Sequence, residues 1–303
     1  MAAAPATATL LLPPRARFAG QSLPAAAARA LGRADRLPRG EAGERAQLLR
    51  HFDLLPRGWP IGAITRQADA RDAAGAAWLR ADPAYVRPDL NGARLLAIGE
   101  ALRLEQADSD AFLPALRPLF GDAGVPLDAP VPTRWYLRLP REAMLPAFAG
   151  PDEALGADMF EHLPEGAEGR RWRALLSEAQ VVLHNHPRNG ERAARGLPPV
   201  NSLWFWGGGV LPDHVRSPHG QVRTHDAVLQ ALADASKAEG EGSVLVDYRA
   251  LATFDKRFLG WLDAAARGDI QRVVLDFADG ARYAIAPRQR WRLWRKPIQE
   301  FAA

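Results

Sequence analysis

The 303-residue sequence contains no cysteine and no long apolar run. The lack of cysteine excludes disulfides, iron–sulfur clusters, thiolate zinc sites and cysteine nucleophiles. No stretch approaches the roughly 18 apolar residues that a membrane-spanning helix needs, so no membrane span is predicted. The apolar N-terminal segment has no basic region and is interrupted by Pro5, Pro13 and Pro14, which favours a first strand over Thr7–Leu12 instead of a signal peptide. We therefore expect a cytoplasmic protein.

Lysine is nearly absent, with 3 residues against 36 arginines, and the 39 basic residues exceed the 35 acidic ones by only four. A net charge of +4 over this length is weak, so the composition does not favour nucleic acid as a partner. We interpret the arginine excess as base-composition bias of the genome. Apolar residues make up 48% and charged residues 24%, which predicts a globular protein with a sizeable core.

Complete catalytic motifs are also missing. The sequence has no GxSxG or SxxK serine motif, no HExxH or EF-hand metal motif, no Walker A loop and no dinucleotide fingerprint. His184 and His186 could both face a metal ion from an extended segment, but a metal site needs at least a third ligand. Asp247 and Asp276 stand at strand ends, where we expect structural hydrogen bonding. The sequence therefore predicts no catalytic residue, no bound metal and no cofactor.

Segments of helical and strand periodicity alternate along the chain, which predicts an α/β or α+β fold with a mixed sheet and flanking helices. We expect a single globular domain over residues 1–303, with a loose joint near residues 140–169, where Pro, Gly and acidic residues accumulate. The dipeptide Asn91-Gly92 predicts a hairpin. The predicted strands are Ala63–Arg66, Ala77–Arg80, Ala93–Ile98, Thr133–Leu139, Val200–Trp206, Val244–Asp247, Ile270–Phe277 and Arg282–Ala286. The predicted helices are Leu23–Leu31, Glu41–His51, Ser109–Phe120, Arg170–Leu183, Asn189–Arg195, Asp226–Lys237 and Lys256–Arg267.

The densest group of polar and aromatic residues runs from His184 to Gly209 and ends in an apolar strand followed by three glycines. A glycine run at a strand end lets backbone N–H groups approach a ligand closely, and arginine suits phosphate or carboxylate. The alternative is that the glycines make a tight turn and the tryptophans belong to the core. The candidate ligand-binding residues are His184, His186, Arg188, Asn189, Arg192, Asn201, Trp204, Trp206, Gly207, Gly208 and Gly209.

The C-terminal segment WRLWRKP, residues 291–297, mixes aromatic residues with positive charge. Such a mixture could stack on single-stranded nucleic acid or meet an anionic surface. Apolar and basic residues also alternate in it as they do in an edge strand. Packing of one face of that strand, together with cation–π contacts, would explain the segment without nucleic acid.

The block LHNHPRNGERAARGLPPVNSLWFWGGG, residues 183–209, resembles the regulatory protein RpfE type, a proteobacterial family related to cofactor-independent phosphoglycerate mutase. The segments WLRADPAYVRPDLNGARLLA, residues 78–97, and WRLWRKP are similar to the same family, so the resemblance spans most of the chain. A fainter resemblance to archaeal-type mutases places the block in the region that carries their substrate-binding insert. The matching positions would be His186, Pro187, Asn189, Arg192, Gly196, Pro199, Asn201, Trp204, Trp206, Gly207 and Gly209.

This resemblance implies the fold of the mutase insert region without the alkaline-phosphatase metal core. Mutases of that superfamily use two metals, a nucleophilic serine and several Asp and His ligands, whereas TLLLPPRARF here has no aspartate–glycine strand end. The leading hypothesis is a non-catalytic regulatory or ligand-sensing protein that binds a small anionic or phosphorylated ligand, or a protein partner. The alternatives are a mutase-like isomerase or phosphohydrolase with a relocated active site, and a nucleic-acid or surface-binding adaptor acting through the C-terminal tail.

Overall fold

The computed structural model describes residues 5–90 and 92–301. The packing of the Cα trace divides the chain into two compact units. The first consists of Met1–Leu55 and His214–Ala303, and the second of Pro56–Asp213. The joint predicted near residues 140–169 lies inside the second unit, and the expectation of a single domain stays a prediction. Within the described residues, no helix has the length and apolarity needed to cross a membrane.

Helices and strands occur in both units, and the predicted mixed α/β class is confirmed. The strands are β1 Thr7–Leu12, β2 Asp35–Arg36, β3 Asp53–Leu55, β4 Ala77–Asp89, β5 Gly92–Ile98, β6 Leu127–Val131, β7 Arg134–Leu139, β8 Ser202–Val210, β9 His214–Ser217, β10 Gln221–Arg223, β11 Ser236–Ala238, β12 Ser243–Asp247, β13 Arg272–Phe277 and β14 Arg282–Ile285. The α-helices are α1 Ala25–Arg33, α2 Glu44–Leu49, α3 Ile61–Ala70, α4 Gln106–Asp122, α5 Pro151–Ala154, α6 Gly166–His184, α7 Arg188–Ala194, α8 Ala227–Ala235 and α9 Lys256–Arg267.

The first unit is built on a six-stranded sheet in the order β10-β12-β1-β13-β14-β2. Strands β10, β12, β1 and β13 run parallel, whereas β14 and β2 are antiparallel to their neighbours. Because β1 lies between β12 and β13, Leu10, Leu11 and Leu12 are buried on both faces of the sheet, which explains the continuous apolar run. Side chains of α1 and α9 join those of the sheet in one apolar core. A smaller sheet, β11-β9-β3, belongs to the same unit.

The second unit contains an antiparallel sheet in the order β5-β4-β7-β6, with β8 also paired to β4. Strand β4 is 13 residues long, and this length allows it to pair with β5, β7 and β8. Its C-terminal half forms the predicted hairpin with β5, with Asp89 opposite Gly92. Asn91 itself lies outside the described residues. Helices α3 and α6 pack against β8 and so border the candidate ligand-binding block.

The predicted strand at Ala63–Arg66 is wrong, because this segment is the middle of α3. Its residues are buried, so the sequence shows a short apolar run whose periodicity does not distinguish a strand from a helix. The Thr65 hydroxyl donates to the Ile61 carbonyl at 2.7 Å, a local bond that a helix allows. The apolar run is therefore explained by the burial of residues 61–66, the N-terminal part of α3.

Helix α4 begins before the predicted start at Ser109 and continues through Pro114 and Pro118. Its N-cap is Glu105, whose backbone N–H donates to the Asp108 carboxylate at 3.0 Å. This bond satisfies one of the donors that a helix start leaves unpaired. It also fixes Asp108 at the base of the helix, where the carboxylate meets the candidate ligand-binding block.

The C-terminal tail does not form the edge strand that was one interpretation of its alternating residues. After β14 the chain forms a 3-10 turn over Pro287–Trp291, and the described residues 292–301 contain no strand. Arg292 donates to the Asp35 carboxylate at 2.5 Å, and two backbone hydrogen bonds join Ile298 to Ala28 and Gln299 to Leu23. Trp291, Leu293 and Trp294 are 68%, 72% and 76% exposed.

Candidate functional site

Three elements of the second unit position the candidate ligand-binding block. Helix α6 ends at His184, α7 begins at Arg188, and β8 carries the apolar and glycine residues. Pro187 is the N-cap of α7, consistent with the bias of a proline against helical geometry in the residue before it. Both helices agree with the predicted ones within a few residues. Strand β8 differs, because it runs through the three glycines to Val210 instead of ending before them.

Arg192 is the most completely enclosed residue of the block, with a side chain that is 0% exposed. Its Nη1 donates to the Asp108 carboxylate at 2.7 Å, and its Nη2 donates to the carbonyls of Leu102 at 2.7 Å and Pro198 at 2.9 Å. Nε also donates to the Pro198 carbonyl at 3.0 Å. Each nitrogen of the guanidinium therefore has a partner inside the protein, which is how a buried arginine avoids an unpaired donor.

Arg188 shares the same carboxylate and reaches the surface. Its Nε donates to Asp108 at 2.8 Å, while its Nη1 donates to the exposed carboxylate of Glu191. Burial alone would raise the pKa of Asp108, but the Glu105 backbone N–H and the Arg188 and Arg192 guanidiniums together lower it. Asp108 is therefore held as an anion between two arginines of the block.

The two histidines of the block lie at the end of α6 and just beyond it. His184 is exposed, whereas His186 is half-buried, with its ring centroid 4.7 Å from that of Phe112. The Nδ1 atom of His186 accepts a hydrogen bond from the Arg188 backbone N–H at 3.2 Å. These contacts orient His186 toward the start of α7 and leave His184 facing solvent.

Asn189 and Asn201 form hydrogen bonds that resemble those of a peptide group. The Asn201 side chain accepts from the Val86 N–H at 2.8 Å and donates to the Val86 carbonyl at 2.7 Å. Asn189 donates to the carbonyls of Leu183 at 2.8 Å and Val200 at 2.9 Å, and accepts from the Val200 N–H at 2.8 Å. Both amides therefore fix the chain on either side of α7.

The tryptophans of β8 are buried, and each indole N–H has an acceptor. Trp204 donates to the Ala149 carbonyl at 3.0 Å, and Trp206 donates to the Asp82 carboxylate at 2.7 Å. Arg80 also bonds Asp82 through two nitrogens at 2.8 Å and lies over the Trp206 ring, 5.1 Å from its centroid. Burial nevertheless raises the pKa of Asp82 above its ordinary value, because the carboxyl is fully enclosed.

The glycines of β8 allow α3 to lie directly on the strand. A Cβ atom on Gly207 would lie 3.1 Å from the Cβ of Ile61, and Gly207 has a φ of 66°, which favours glycine. On the facing helix, a Cβ on Gly62 would come within 2.7 Å of the Trp78 carbonyl oxygen and 3.0 Å of that of Gly207. These glycines thus allow close packing of a helix on the strand, a role that was not predicted from the sequence. Their role toward a ligand stays a prediction.

Arg188 and Arg192 both bond the carboxylate of Asp108, a partner that no sequence pattern indicated. Asp108 lies 84 positions from Arg192, and its only local signal is an acidic residue at the start of a helix. Asn201, by contrast, bonds to β4 and takes no part in this cluster. In the described residues, no group of three or more acidic or histidine side chains is arranged to hold a metal ion.

At the carboxyl edge of the first unit's sheet, two strand-end aspartates pair with arginines. Arg249 donates to Asp247 through Nε at 2.9 Å and Nη2 at 2.8 Å, and Arg50 Nη2 lies 2.6 Å from Asp276. Burial alone would raise the pKa of each carboxyl, yet both values are lowered. The opposing causes are hydrogen bonds from Arg249 in one case and from His51 and Arg50 in the other. Both aspartates are hydrogen-bonded, as the sequence led us to expect.

Sequence comparison supplies the family context for these sites. A segment of 129 residues is 32% identical to a probable 2,3-bisphosphoglycerate-independent phosphoglycerate mutase of Geobacter sulfurreducens, covering 36% of this chain and 32% of that protein. Another of 130 residues is 32% identical to the 2,3-bisphosphoglycerate-independent phosphoglycerate mutase of Methanothrix thermoacetophila, covering 41% and 33% of the two chains. This chain is related to cofactor-independent phosphoglycerate mutase. The matched segments span about a third of the length of these mutases, and no family model matches the chain.

Two solved structures can be superposed on most of the chain. The cofactor-independent phosphoglycerate mutase of Thermoplasma acidophilum has a TM-score of 0.42 and 15% identity, covering 93% of this chain and 89% of that one. A protein of Pyrococcus horikoshii has a TM-score of 0.44 and 14% identity, with coverage of 94% and 88%. The relation to phosphoglycerate mutase therefore depends on the matched sequence segments, and membership of the RpfE type regulatory family stays a prediction.

Proposed function

We propose that this mutase relative is a ligand-sensing or regulatory protein that does not carry out the phosphoryl transfer of a phosphoglycerate mutase. The observation that carries the proposal is the pairing of Asp247 and Asp276 with arginines at the carboxyl edge of the first sheet. A carboxylate bound by a guanidinium fork has its lone pairs directed at the arginine and its charge neutralised, which makes it a poor metal ligand. Both aspartates at this edge are therefore occupied by arginines of the chain itself, which argues against metal-dependent chemistry there.

The proposed ligand is a small anion such as a phosphate ester or a carboxylate, held near the start of α7. Arg188 is the member of the block that fits this role, because its second partner, Glu191, is an exposed carboxylate on the same helix. An anionic ligand would take the place of Glu191 on the Arg188 guanidinium, with the exposed His184 nearby in sequence as a further donor. A protein partner with an acidic or phosphorylated side chain would use the same guanidinium.

Thermal unfolding in the presence of 3-phosphoglycerate, 2-phosphoglycerate and inorganic phosphate tests this assignment. We expect a ligand-dependent rise in Tm that is lost in Arg188→Ala and enlarged in Glu191→Gln, since that change removes the competing carboxylate. Arg94→Ala is the matched control, because Arg94 forms an exposed ion pair with Asp89 elsewhere in the unit. Each shift is taken relative to the variant's own unliganded Tm. The absence of any shift, or an unchanged shift in Arg188→Ala, would refute the ligand site.

A coupled assay for interconversion of 3-phosphoglycerate and 2-phosphoglycerate tests the non-catalytic part of the proposal. Purified protein with added Mn²⁺ should give no turnover above the background of the coupling enzymes. Robust turnover that EDTA abolishes would instead establish a phosphoglycerate mutase with a relocated active site. The two experiments are independent, because a protein can bind a phosphoglycerate without converting it.

The C-terminal tail supports a second candidate function, the binding of single-stranded nucleic acid. The specific observation is that Trp291 and Trp294 are largely exposed, with the Arg290 guanidinium 5.0 Å from the Trp291 ring centroid. Exposed aromatic rings beside cations stack on bases and attract phosphates. In a fluorescence-anisotropy titration with a labelled oligonucleotide, Trp294→Ala should weaken binding severalfold. No binding at low salt would eliminate this candidate.

A further inference from the structure

Four polar side chains form one line through the first unit. The Asp276 Oδ2 atom lies 3.1 Å from His51 Nε2, and His51 Nδ1 lies 3.1 Å from His219 Nε2. His219 Nδ1 in turn lies 3.0 Å from the Ser243 hydroxyl. The aspartate and both histidines are buried, and Ser243 is half-buried at the end of the line.

Separate elements of the chain supply these groups. His51 follows α2, His219 lies in the turn between β9 and β10, and Ser243 and Asp276 belong to β12 and β13. His51 and His219 are 168 positions apart in sequence. The Ser217 hydroxyl accepts a hydrogen bond from the His219 backbone N–H at 3.3 Å and so helps to fix the turn. The line is therefore assembled by the fold and has no local sequence signature.

The direction of the hydrogen bonds follows from the charge of Asp276. Arg50 bonds this carboxylate at 2.6 Å and Arg282 lies 3.3 Å from it, and the hydrogen bonds from His51 and Arg50 lower its pKa against the effect of burial. An ionised carboxylate only accepts hydrogen bonds, so His51 donates to it through Nε2. In the tautomer that can relay a proton, the Nδ1 atom of His51 is bare and accepts a hydrogen bond from His219 Nε2.

The protonation of His219 sets the orientation of the serine hydroxyl. Burial lowers the pKa of His219 to about 4, so the ring is neutral near pH 7. With its proton on Nε2, His219 presents a bare Nδ1 atom to Ser243. The hydroxyl therefore donates to His219, and the lone pairs of its oxygen are directed away from the histidine.

The serine borders a cleft of about 550 Å³ in the same unit. Besides Ser243, its lining includes the three glycines Gly220, Gly240 and Gly242. Clefts of 300 to 1,000 Å³ are the usual size of small-molecule sites, as an order of magnitude. Arg223 and Glu241 bring one charge of each sign to the lining. Ser243, whose hydroxyl lies 3.0 Å from His219 Nδ1, thus borders a space that can hold a small substrate.

We propose that Ser243 is a nucleophile that hydrolyses small carboxylic esters, with His219 as its base and with His51 and Asp276 as positioning residues. The arrangement has the roles of a serine–histidine–aspartate triad with a second histidine inserted between base and carboxylate. It lies in the first unit, apart in sequence from the proposed anion site around Arg188, and it does not depend on that proposal.

The reaction is balanced with water as the only co-reactant. The Ser243 oxygen forms a bond to the ester carbonyl carbon, while its proton moves to His219 Nδ1 and the Nε2 proton of His219 moves to His51. The resulting His51 cation faces Asp276. The bond between the carbonyl carbon and the alcohol oxygen then breaks, and the proton returns along the line to the departing alcohol. Water attacks the acyl-serine in the same way, releasing the carboxylic acid and restoring Ser243.

Labelling of the full-length protein with a fluorophosphonate probe, followed by intact mass measurement and peptide mapping, tests the nucleophile. We expect one adduct on Ser243, none in Ser243→Ala, and normal labelling in Ser22→Ala, which alters an exposed serine of the same unit. Hydrolysis of p-nitrophenyl acetate should fall to background in Ser243→Ala. Wild-type protein that gives no adduct, or an adduct on another serine, would overturn the proposal.

The histidines are tested by the kinetics of the same labelling. His51→Gln should lower the maximal labelling rate at least tenfold while the probe concentration for half-maximal rate stays unchanged, a split that simple loss of folded protein does not produce. Far-UV circular dichroism and the Tm identify variants that fail to fold. If folded His51→Gln and His219→Gln label as fast as wild type, the line is only structural and the proposal is wrong.

Discussion

The two units enclose a carboxylate in different ways. In the second unit Asp108 is held by Arg188 and Arg192, whose guanidiniums stay charged at any pH at which the protein is folded. In the first unit Asp276 also bonds arginine, but one of its oxygens continues through His51 to His219. A histidine ring can accept a proton at one nitrogen and release one from the other, so the first arrangement is a fixed structural pair and the second can move a proton.

The comparison separates buried ion pairs that contribute to stability from buried groups that can transfer a proton. A guanidinium–carboxylate pair has every donor directed and no proton to release, so removing one partner leaves an uncompensated charge. A neutral imidazole such as that of His219 carries no net charge and is tolerated in the interior at lower cost. The second unit therefore depends on its ion pairs for stability, whereas the first unit contains groups whose protonation changes with pH.

The largest expected effect is that of Asp108→Ala. Removal of this carboxylate leaves the enclosed Arg192 without the anion that it bonds, and such a loss destabilises by about 3–5 kcal/mol. Urea unfolding monitored by tryptophan fluorescence measures it, and the loss should be similar at pH 6 and pH 8. Glu191→Ala is the matched control, since Glu191 is the exposed partner of Arg188 and should change the unfolding free energy little. Equal effects of both changes would remove the distinction between buried and exposed pairs.

The next effect is a loss of stability in mild acid caused by His219. Its pKa of about 4 in the folded protein is below the ordinary 6.5, so the unfolded chain binds the proton more readily. The contribution is complete above pH 6.5 and is lost as the pH falls toward 4, by up to about 3 kcal/mol. Asp276, with a lowered pKa, titrates below this window.

Urea midpoints at pH 7 and pH 4.5 measure this dependence. In His219→Gln the two midpoints should lie closer together than in wild type, although the variant is less stable at pH 7 because two hydrogen bonds are altered. His184→Gln, which changes an exposed histidine, should keep the wild-type dependence. If His219→Gln retains it as well, the buried ring is not the source of the acid sensitivity.

The smallest of the three effects concerns close packing in the second unit and should not depend on pH. Gly62→Ala places a Cβ 2.7 Å from the Trp78 carbonyl oxygen, so α3 must move away from the sheet at a cost of about 1–3 kcal/mol. Gly190→Ala is the control, because its Cβ would meet nothing within 4 Å and it lies in helix α7. The control should be neutral or slightly stabilising by about 0.5–1 kcal/mol. A similar loss in both variants would contradict the packing argument.

Sequence patterns predicted the parts of the fold that depend on local periodicity. Helix α9 has the predicted bounds Lys256–Arg267, with Asp255 as its N-cap, because amphipathic spacing and a cap residue are both visible in the chain. The middle of α3 was predicted as a strand because residues 61–66 are all buried, which removes the periodic signal. An edge strand was one interpretation of the tail because alternation was visible in the sequence, while the side-chain bond of Arg292 to Asp35 was not.

The candidate sites were harder to predict, since their partners are distant in sequence. The block from His184 to Gly209 was identified by composition, but the carboxylate that joins its two arginines lies in another helix. The line from Asp276 to Ser243 was not identified at all, because four isolated residues in four segments resemble no motif. Contacts of this kind come from sheet order and helix packing, which a single sequence does not display.

The pairing of β3 with β9 has a consequence for how the chain can be cut and rejoined. Leu55, the last residue before the second unit, lies directly opposite His214, the first residue after it. The chain therefore leaves the first unit and re-enters it at neighbouring positions of one antiparallel ladder, the geometry that a two-residue turn normally closes. The second unit is therefore an insertion between β3 and β9. A short turn in place of residues 56–213 would keep the β3–β9 ladder of the first unit continuous.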